Sequence, residues 1–322
     1  MIEPRLRPAT LDDAALAADL MTAAYPAYAA DPIVTRYRWE NPRKGWSMGR
    51  FIADVDDQPV AFVDWLSGPP DQDLERHCEV GVALDRAHLD VPLLVFLWRW
   101  VTDQAVSGGS RMLEAYAAED EPEMLEALDQ VGYERDRKEK VWELDLQANG
   151  ARLLAEAHEA RDKAERDGYT LTTVAGWDSP DKLRALHTLD GLTRKDVPTT
   201  FPILPETLEN FVARSMAPDR PHDRWWIALR DGKPVAMSYL RFPPVRGAIW
   251  TGYTCSSPDH RGRGIARAVK LQSLAQAIEL GLPYVYTDND SENAPMLHIN
   301  ERLGYGPRPG FVGLLKRVEV ER

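Results

Sequence analysis

Alternation of apolar and polar positions occurs twice in this chain in nearly the same form. Phe51-Ile52-Ala53-Asp54-Val55-Asp56-Asp57-Gln58-Pro59-Val60-Ala61 and Trp226-Ile227-Ala228-Leu229-Arg230-Asp231-Gly232-Lys233-Pro234-Val235-Ala236 each read as strand, two-residue polar turn, strand. Asp231-Gly232 is a strong hairpin signal. Two further stretches repeat in the same order and at about the same separation. Glu79-Val80-Gly81-Val82-Ala83-Leu84-Asp85 sits where Tyr253-Thr254-Cys255-Ser256-Ser257-Pro258-Asp259 sits later, and Leu125–Tyr133 echoes Leu297–Tyr305. The pattern predicts two copies of one plan, each of about 150 residues.

The boundaries follow from this register: a first copy over residues 1–148, a helical linker over 149–168 and a second copy over 169–322. The linker is Ala-, Glu- and Arg-rich; Leu154, Ala157, His158 and Arg161 follow helical spacing, and Asp167-Gly168 would end the helix. The same stretch also reads as the first helix of the second domain. In the second copy, Ile265, Ala268, Leu271, Ala275 and Ile278 line one helical face, with Gly281 and Pro283 beyond it. Tyr284–Thr287 is a short strand, Asn293–Leu303 a helix stopped by Gly304, and Val312–Val320 a closing strand. This order implies the α+β class: in each copy, helices flanking a mixed central sheet.

The chain has 322 residues and a formal net charge of −12. That acidity, with no long basic stripe, argues against nucleic-acid binding. The longest apolar run, Val91 to Trp98, is stopped by Arg99, which is too short to cross a membrane. Residues Met1–Arg5 show no apolar signal core, so a cytoplasmic location is expected. Cys78 and Cys255 lie far apart, which gives neither a disulfide framework nor metal-ligand spacing.

Against that acidic background, Arg261-Gly262-Arg263-Gly264-Ile265-Ala266 follows a strand-like run and opens a helix-like one. Glycines allow close backbone approach, and a helix start presents N–H groups and a positive dipole end to an anion. Arg263, Arg267 and Lys270 add charge, so the segment suits a phosphate or pyrophosphate. The first copy reads Ala87-His88-Leu89-Asp90-Val91-Pro92 at the matching positions. Asp90 replaces Gly264 there, and Pro92 removes an N–H. The first copy is therefore expected not to hold the anion.

The Arg261–Ala266 run, its Ser-Pro-Asp-His lead-in and the Thr287–Tyr305 segment resemble the GCN5-related N-acetyltransferase (GNAT) superfamily, and the duplicated layout resembles its tandem, mycothiol-synthase-type members. The resemblance implies a tandem GNAT fold with acetyl-CoA as cofactor and a small-molecule amine as acceptor. Arg261, Gly262, Arg263, Gly264, Ile265, Ala266 and Arg267 would carry the pyrophosphate. The strand with Thr254, Cys255 and Ser256 would pair with the pantetheine arm, the Thr254 N–H facing the thioester oxygen. Asn293 would bond to the arm, or cap its helix. A monomer or homodimer is expected, since a tandem copy can replace a dimer partner.

The usual acid–base pair of the family is missing. Trp250 and Gly252 stand where a base is common, and Asn300 stands where a tyrosine acid is common. Asp288 is a candidate base, water is the alternative proton carrier, and a non-catalytic acyl-CoA-binding protein is the rival reading. Asn289, Asn293 and Asn300 are expected around one cleft. Asp190 and Asp196 are candidates to hold a cationic amine, and Trp225, Trp226 and Trp250 to wall an aromatic pocket, though sheet packing is the commoner outcome for tryptophan.

Overall fold

The computed structural model describes residues 4–201 and 203–318. The first copy runs β1 (Arg5–Pro8), α1 (Ala14–Ala24), α2 (Pro32–Glu40), β2 (Ser47–Val55), β3 (Gln58–Ser67), β4 (His77–Leu84), α3 (Val91–Ser107), β5 (Met112–Ala118), α4 (Pro122–Val131) and β6 (Glu134–Asp145). Helix α5 (Leu146–Arg166) follows. The second copy repeats the order as β7 (Thr170–Thr173), α6 (Lys182–Arg194), α7 (Leu208–Ser215), β8 (Trp225–Arg230), β9 (Lys233–Arg241), β10 (Trp250–Ser256), α8 (Ile265–Glu279), β11 (Tyr284–Asp290), α9 (Ala294–Leu303) and β12 (Gly306–Arg317).

Local chemistry sets many of these boundaries. Both hairpins turn on residues with positive φ: Asp56 and Asp57 at 50° and 59°, Asp231 and Gly232 at 50° and 74°. That twist matches the flanking strands. Gly132 and Gly304 end α4 and α9 in the left-handed conformation. The closing strand runs from Gly306 to Arg317, six residues earlier than the expected start; Glu319 and Val320 lie outside the described residues.

The two copies share one sheet, in the order β1-β2-β3-β4-β5-β12-β6-β11-β10-β9-β8-β7. Each copy is completed by the last strand of the other. β12 pairs with β5 from Phe311↔Ala118 to Arg317↔Met112, and β6 pairs with β11 from Tyr284↔Asp145 to Asp290↔Glu139. At the crossing, Arg137 of β6 donates through Nε to Asp290 at 2.6 Å and through Nη2 to Glu292 at 2.7 Å.

Helix α5 is packed rather than a free linker. It starts at Leu146, capped by the Asp145 carboxylate on Ala148 N–H at 2.8 Å. Its buried stripe is Leu146, Gly150, Leu153, Ala157 and Ala164, whereas Leu154 is exposed. It lies against α8, where the buried Gln272 amide spans Arg161 and the Ala157 carbonyl. Helix α8 is covered on most sides, burying Lys270, Gln272 and Ser273 with its apolar residues.

Candidate active site

Strand β10 runs into a short turn, Pro258–His260, and then into the start of α8. Gly262 and Gly264 have φ of +72° and +77°. An added Cβ at either would meet nothing within 4 Å, so conformation rather than crowding calls for glycine. Ala268 N–H bonds to Gly264 O at 3.0 Å. The N–H groups of Ile265, Ala266 and Arg267 stay at the helix end. A groove of about 550 Å³ opens there between α5 and α8, bounded by Arg263, Gly264, Arg267, Lys163, Tyr169 and Arg302. Arg261 pairs with Asp196, and Arg267 with Glu156 of α5. Lys270 does not reach this loop: it is fully buried inside the fold. These N–H groups, the cations and the two left-handed glycines fit a diphosphate.

The equivalent helix start in the first copy holds its own anion. The Asp90 carboxylate caps α3 by accepting from Leu93 N–H at 3.1 Å, with Pro92 in the first turn. A second anion would meet that carboxylate at close range.

The splay beside the loop is deeper in the second copy. β10 and β11 pair at the single register position Trp250↔Tyr286, where Tyr286 N–H bonds to Ile249 O at 2.8 Å, whereas β4 and β5 pair at three positions. The β9–β10 register shifts between Thr251 and Tyr253, leaving Gly252 as a bulge. An added Cβ at Gly252 would overlap the Tyr239 ring. β3 and β4 pair without a shift from Ala61↔Leu84 to Ser67↔Cys78. Ser257 N–H bonds to Val235 O at 2.8 Å, opposite in register. Antiparallel alternation then points the N–H groups of Tyr253 and Cys255 at β9 and those of Thr254 and Ser256 into the splay. The Thr254 hydroxyl turns away, 2.9 Å from Ser238 Oγ. Cys255 is buried, and burial pushes its thiol up to about 12.

Residues 191–305 match the Acetyltransferase (GNAT) family. A tandem GNAT protein from the clavulanic acid biosynthesis pathway superposes with a TM-score of 0.75 at 16% identity, covering 99% of this chain and 100% of that one. A GCN5-related N-acetyltransferase from Sphaerobacter thermophilus does so with a TM-score of 0.68 at 17% identity, covering 99% and 98%. A GNAT-family acetyltransferase from Colwellia psychrerythraea gives 0.60 at 12% identity, covering 98% and 100%. No protein of curated function matches the chain by sequence. The chain has a tandem GNAT fold, and its second copy carries the family match. At such identities the likeness to solved structures speaks for the fold.

Within this fold, the candidate catalytic residues divide. Asp288 lies on β11, two positions beyond the Trp250↔Tyr286 pair, and so stands across the splay from the Gly252 bulge. Its side chain is open to solvent in the splay but hemmed in by protein. That desolvation raises its carboxyl above the usual range, against the opposing charges of Arg241 and Lys270. Asn300 lies outside the cleft. It is fully buried, its Oδ1 accepts from Lys270 Nζ at 2.7 Å, and its Nδ2 donates to Asn289 Oδ1 at 2.6 Å. Asn293 caps α9, its Oδ1 accepting from Met296 N–H at 3.4 Å. The three asparagines thus do not face one cleft together, since helical spacing cannot distinguish a cleft-facing polar residue from a buried one.

The first copy packs against the second beside the splay. Tyr37 OH donates to Ala213 O at 2.8 Å, and Asn210 clasps the Lys44 backbone through both amide atoms, at 2.9 and 3.1 Å. Between the copies lie a cavity of about 510 Å³ and an adjoining one of about 270 Å³, which reaches Gly252 and Tyr253. Both are lined by Arg43, Glu206, Arg214, Arg220 and Arg241. This arginine lining had no sequence signal, because its members are scattered along the chain. Asp190 and Asp196 are not free for an amine: Asp190 is 2% exposed and accepts from Arg194 at 2.6 Å and Arg214 at 3.3 Å, and Asp196 holds Arg261. Trp225 is core, Trp226 donates to Gln276 at 2.8 Å, and Trp250 packs between Tyr286 and Tyr28 of the first copy, with centroids at 5.5 and 5.6 Å.

Proposed function

We propose that the chain is an acetyl-CoA-dependent N-acetyltransferase for a small amine, with the cofactor held by the second copy and the acceptor cavity shared by both. The observation that carries this reading is the contrast between two equivalent helix starts. One ends in a left-handed glycine with its N–H groups at the helix end; the other is capped by the Asp90 carboxylate.

Bound acetyl-CoA supplies an activated acyl carbon to the splay. The turn from Arg261 to Arg267 would hold its diphosphate. The Thr254 N–H would donate to the oxyanion that develops when the amine nitrogen bonds to the thioester carbon, a contribution of several kcal/mol in comparable sites. Asp288 would take the amine proton as that bond forms. Its raised pKa suits this role, because a stronger base accepts the proton more readily. The C–S bond then breaks, and water would return a proton to the departing thiolate.

A second reading, a non-catalytic acyl-CoA-binding protein, draws on Asn300, whose buried amide is tied to Lys270 and Asn289 and carries no acidic proton. Calorimetry with acetyl-CoA, together with CoA release across an amine panel, decides between them. Tight binding plus amine-dependent release supports the transferase. Tight binding with only background hydrolysis for every amine supports the binding protein.

A further inference from the structure

Arg220 is 8% exposed and lines both cavities between the copies, yet its Nε and Nη1 are buried without a hydrogen-bond partner among the described residues. The Nε of Arg241, on the same walls, is also buried and unpartnered. A guanidinium is always charged and has five donors in a planar fork, so burying it with open donors is costly unless an acceptor arrives. Glu206, Asp190 and Asp219 face other arginines, while Asp64 and Glu79, which also line the larger cavity, are pushed towards the neutral form by burial. Glu206 accepts from Arg214 at 2.6 and 3.1 Å, Asp190 from Arg194 and Arg214, and Asp219 faces Arg38 at 3.7 Å.

The position is close to the splay. The Arg220 guanidinium lies over the Tyr239 ring, 5.2 Å from its centroid. Tyr239 pairs with Tyr253, the residue before Thr254, and Arg241 pairs with Trp250. With a rise of about 3.3 Å per strand residue, the backbone of Arg241 lies about 10 Å along β9 from Ser238, the partner of Thr254. That is the span of a small molecule with an amine at one end and an anionic group at the other.

We propose that Arg220 and Arg241 form an oxyanion subsite, and that the acceptor is a small amine bearing a carboxylate or phosphate, which these guanidinium groups hold while the amine points at the splay. This rests on the transferase reading for the word acceptor. The anion site itself does not.

The test has two arms. In the kinetic arm, CoA release is measured for matched pairs: ω-amino acids from glycine to γ-aminobutyrate against the alkylamines lacking the carboxylate, and O-phosphoethanolamine against ethanolamine. The anionic member of at least one pair should exceed its neutral partner in kcat/KM by about tenfold or more, since a site with open donors rejects an analogue that leaves them unpaired. The pair that responds identifies carboxylate or phosphate. Arg220→Gln should erase the preference while acetyl-CoA affinity stays unchanged. Arg241→Gln, at a half-buried position, gives the same readout if the first variant fails to fold. In the binding arm, N-acetyl-β-alanine and N-acetyl-O-phosphoethanolamine are titrated against thermal stability, with N-propylacetamide as the neutral control. An anionic ligand should stabilise the wild type and not Arg220→Gln. If no amine is acetylated but this shift is seen, the subsite stands and the transferase reading fails. If neutral and anionic members behave alike in both arms, or Arg220→Gln and Arg241→Gln both keep the preference, the subsite proposal is wrong.

Discussion

Lys270 Nζ donates to Asn300 Oδ1 at 2.7 Å, and neither side chain has any exposed surface. The ammonium also lies over the Tyr305 ring, 4.9 Å from its centroid. Burial lowers its pKa from 10.5 to about 7, partly opposed by the charge of Asp288. Between those two values the unfolded chain binds the proton and the folded one releases it. Stability therefore rises with pH across that window, and the full penalty of a buried charge is present below it. Lys270→Met should gain most relative to wild type near pH 6, and the advantage should shrink towards pH 10. Melting temperatures of the two proteins across that range test this, since the titrations they share cancel. A difference independent of pH would contradict it.

Gly252 is held at its bulge by the Tyr239 ring, so Gly252→Ala should cost about 1–3 kcal/mol through overpacking. By shifting the bulge it should also turn the Thr254 N–H away from the splay. A fall in kcat of about a hundredfold, comparable to the loss of one oxyanion donor, is expected with acetyl-CoA affinity little changed. Urea denaturation and steady-state kinetics measure the two effects separately.

Asp288→Asn keeps the size of the side chain and removes its basicity. The rate should fall by about 10²–10⁴-fold. In the wild type, kcat/KM should rise with pH through the raised carboxyl pKa, because only the ionised form accepts a proton, and that rise should vanish in the variant. A pH profile unchanged by the substitution would assign the proton to water.

The strand exchange predicts that neither half is complete alone. Residues 1–145 without β12 would expose the edge of β5, and 146–322 without β6 would expose the edge of β11. Unpaired edges invite association. Produced separately, the halves should oligomerise or aggregate; produced together, they should form one complex of the mass of the intact chain. Light scattering after gel filtration distinguishes these outcomes. A stable monomeric half would contradict the exchange.

The duplicated plan was legible in the sequence because hairpin turns and helix-ending glycines are local chemistry. Asp56-Asp57 and Asp231-Gly232 announce themselves, as do Gly132 and Gly304. The exchange of β6 and β12 was not legible, since a strand's apolar pattern is the same whichever strand it pairs with. The loop at Gly264 and its failed counterpart at Asp90 were readable because a single residue type decides each. The bulge at Gly252 is a tertiary fact, since it depends on the Tyr239 ring packed against it. The burial of Asn300 and Lys270, and the meeting of Arg43, Arg214, Arg220 and Arg241, depend on how distant segments pack, which periodicity does not encode.

The central claim is that one of two equivalent helix starts holds the cofactor. Titration calorimetry with acetyl-CoA tests it most directly, on wild type, Gly264→Asp and Asp90→Gly. The account predicts one site per chain, lost in Gly264→Asp and unaltered in Asp90→Gly. Two sites per wild-type chain, or undiminished binding by Gly264→Asp, would contradict it.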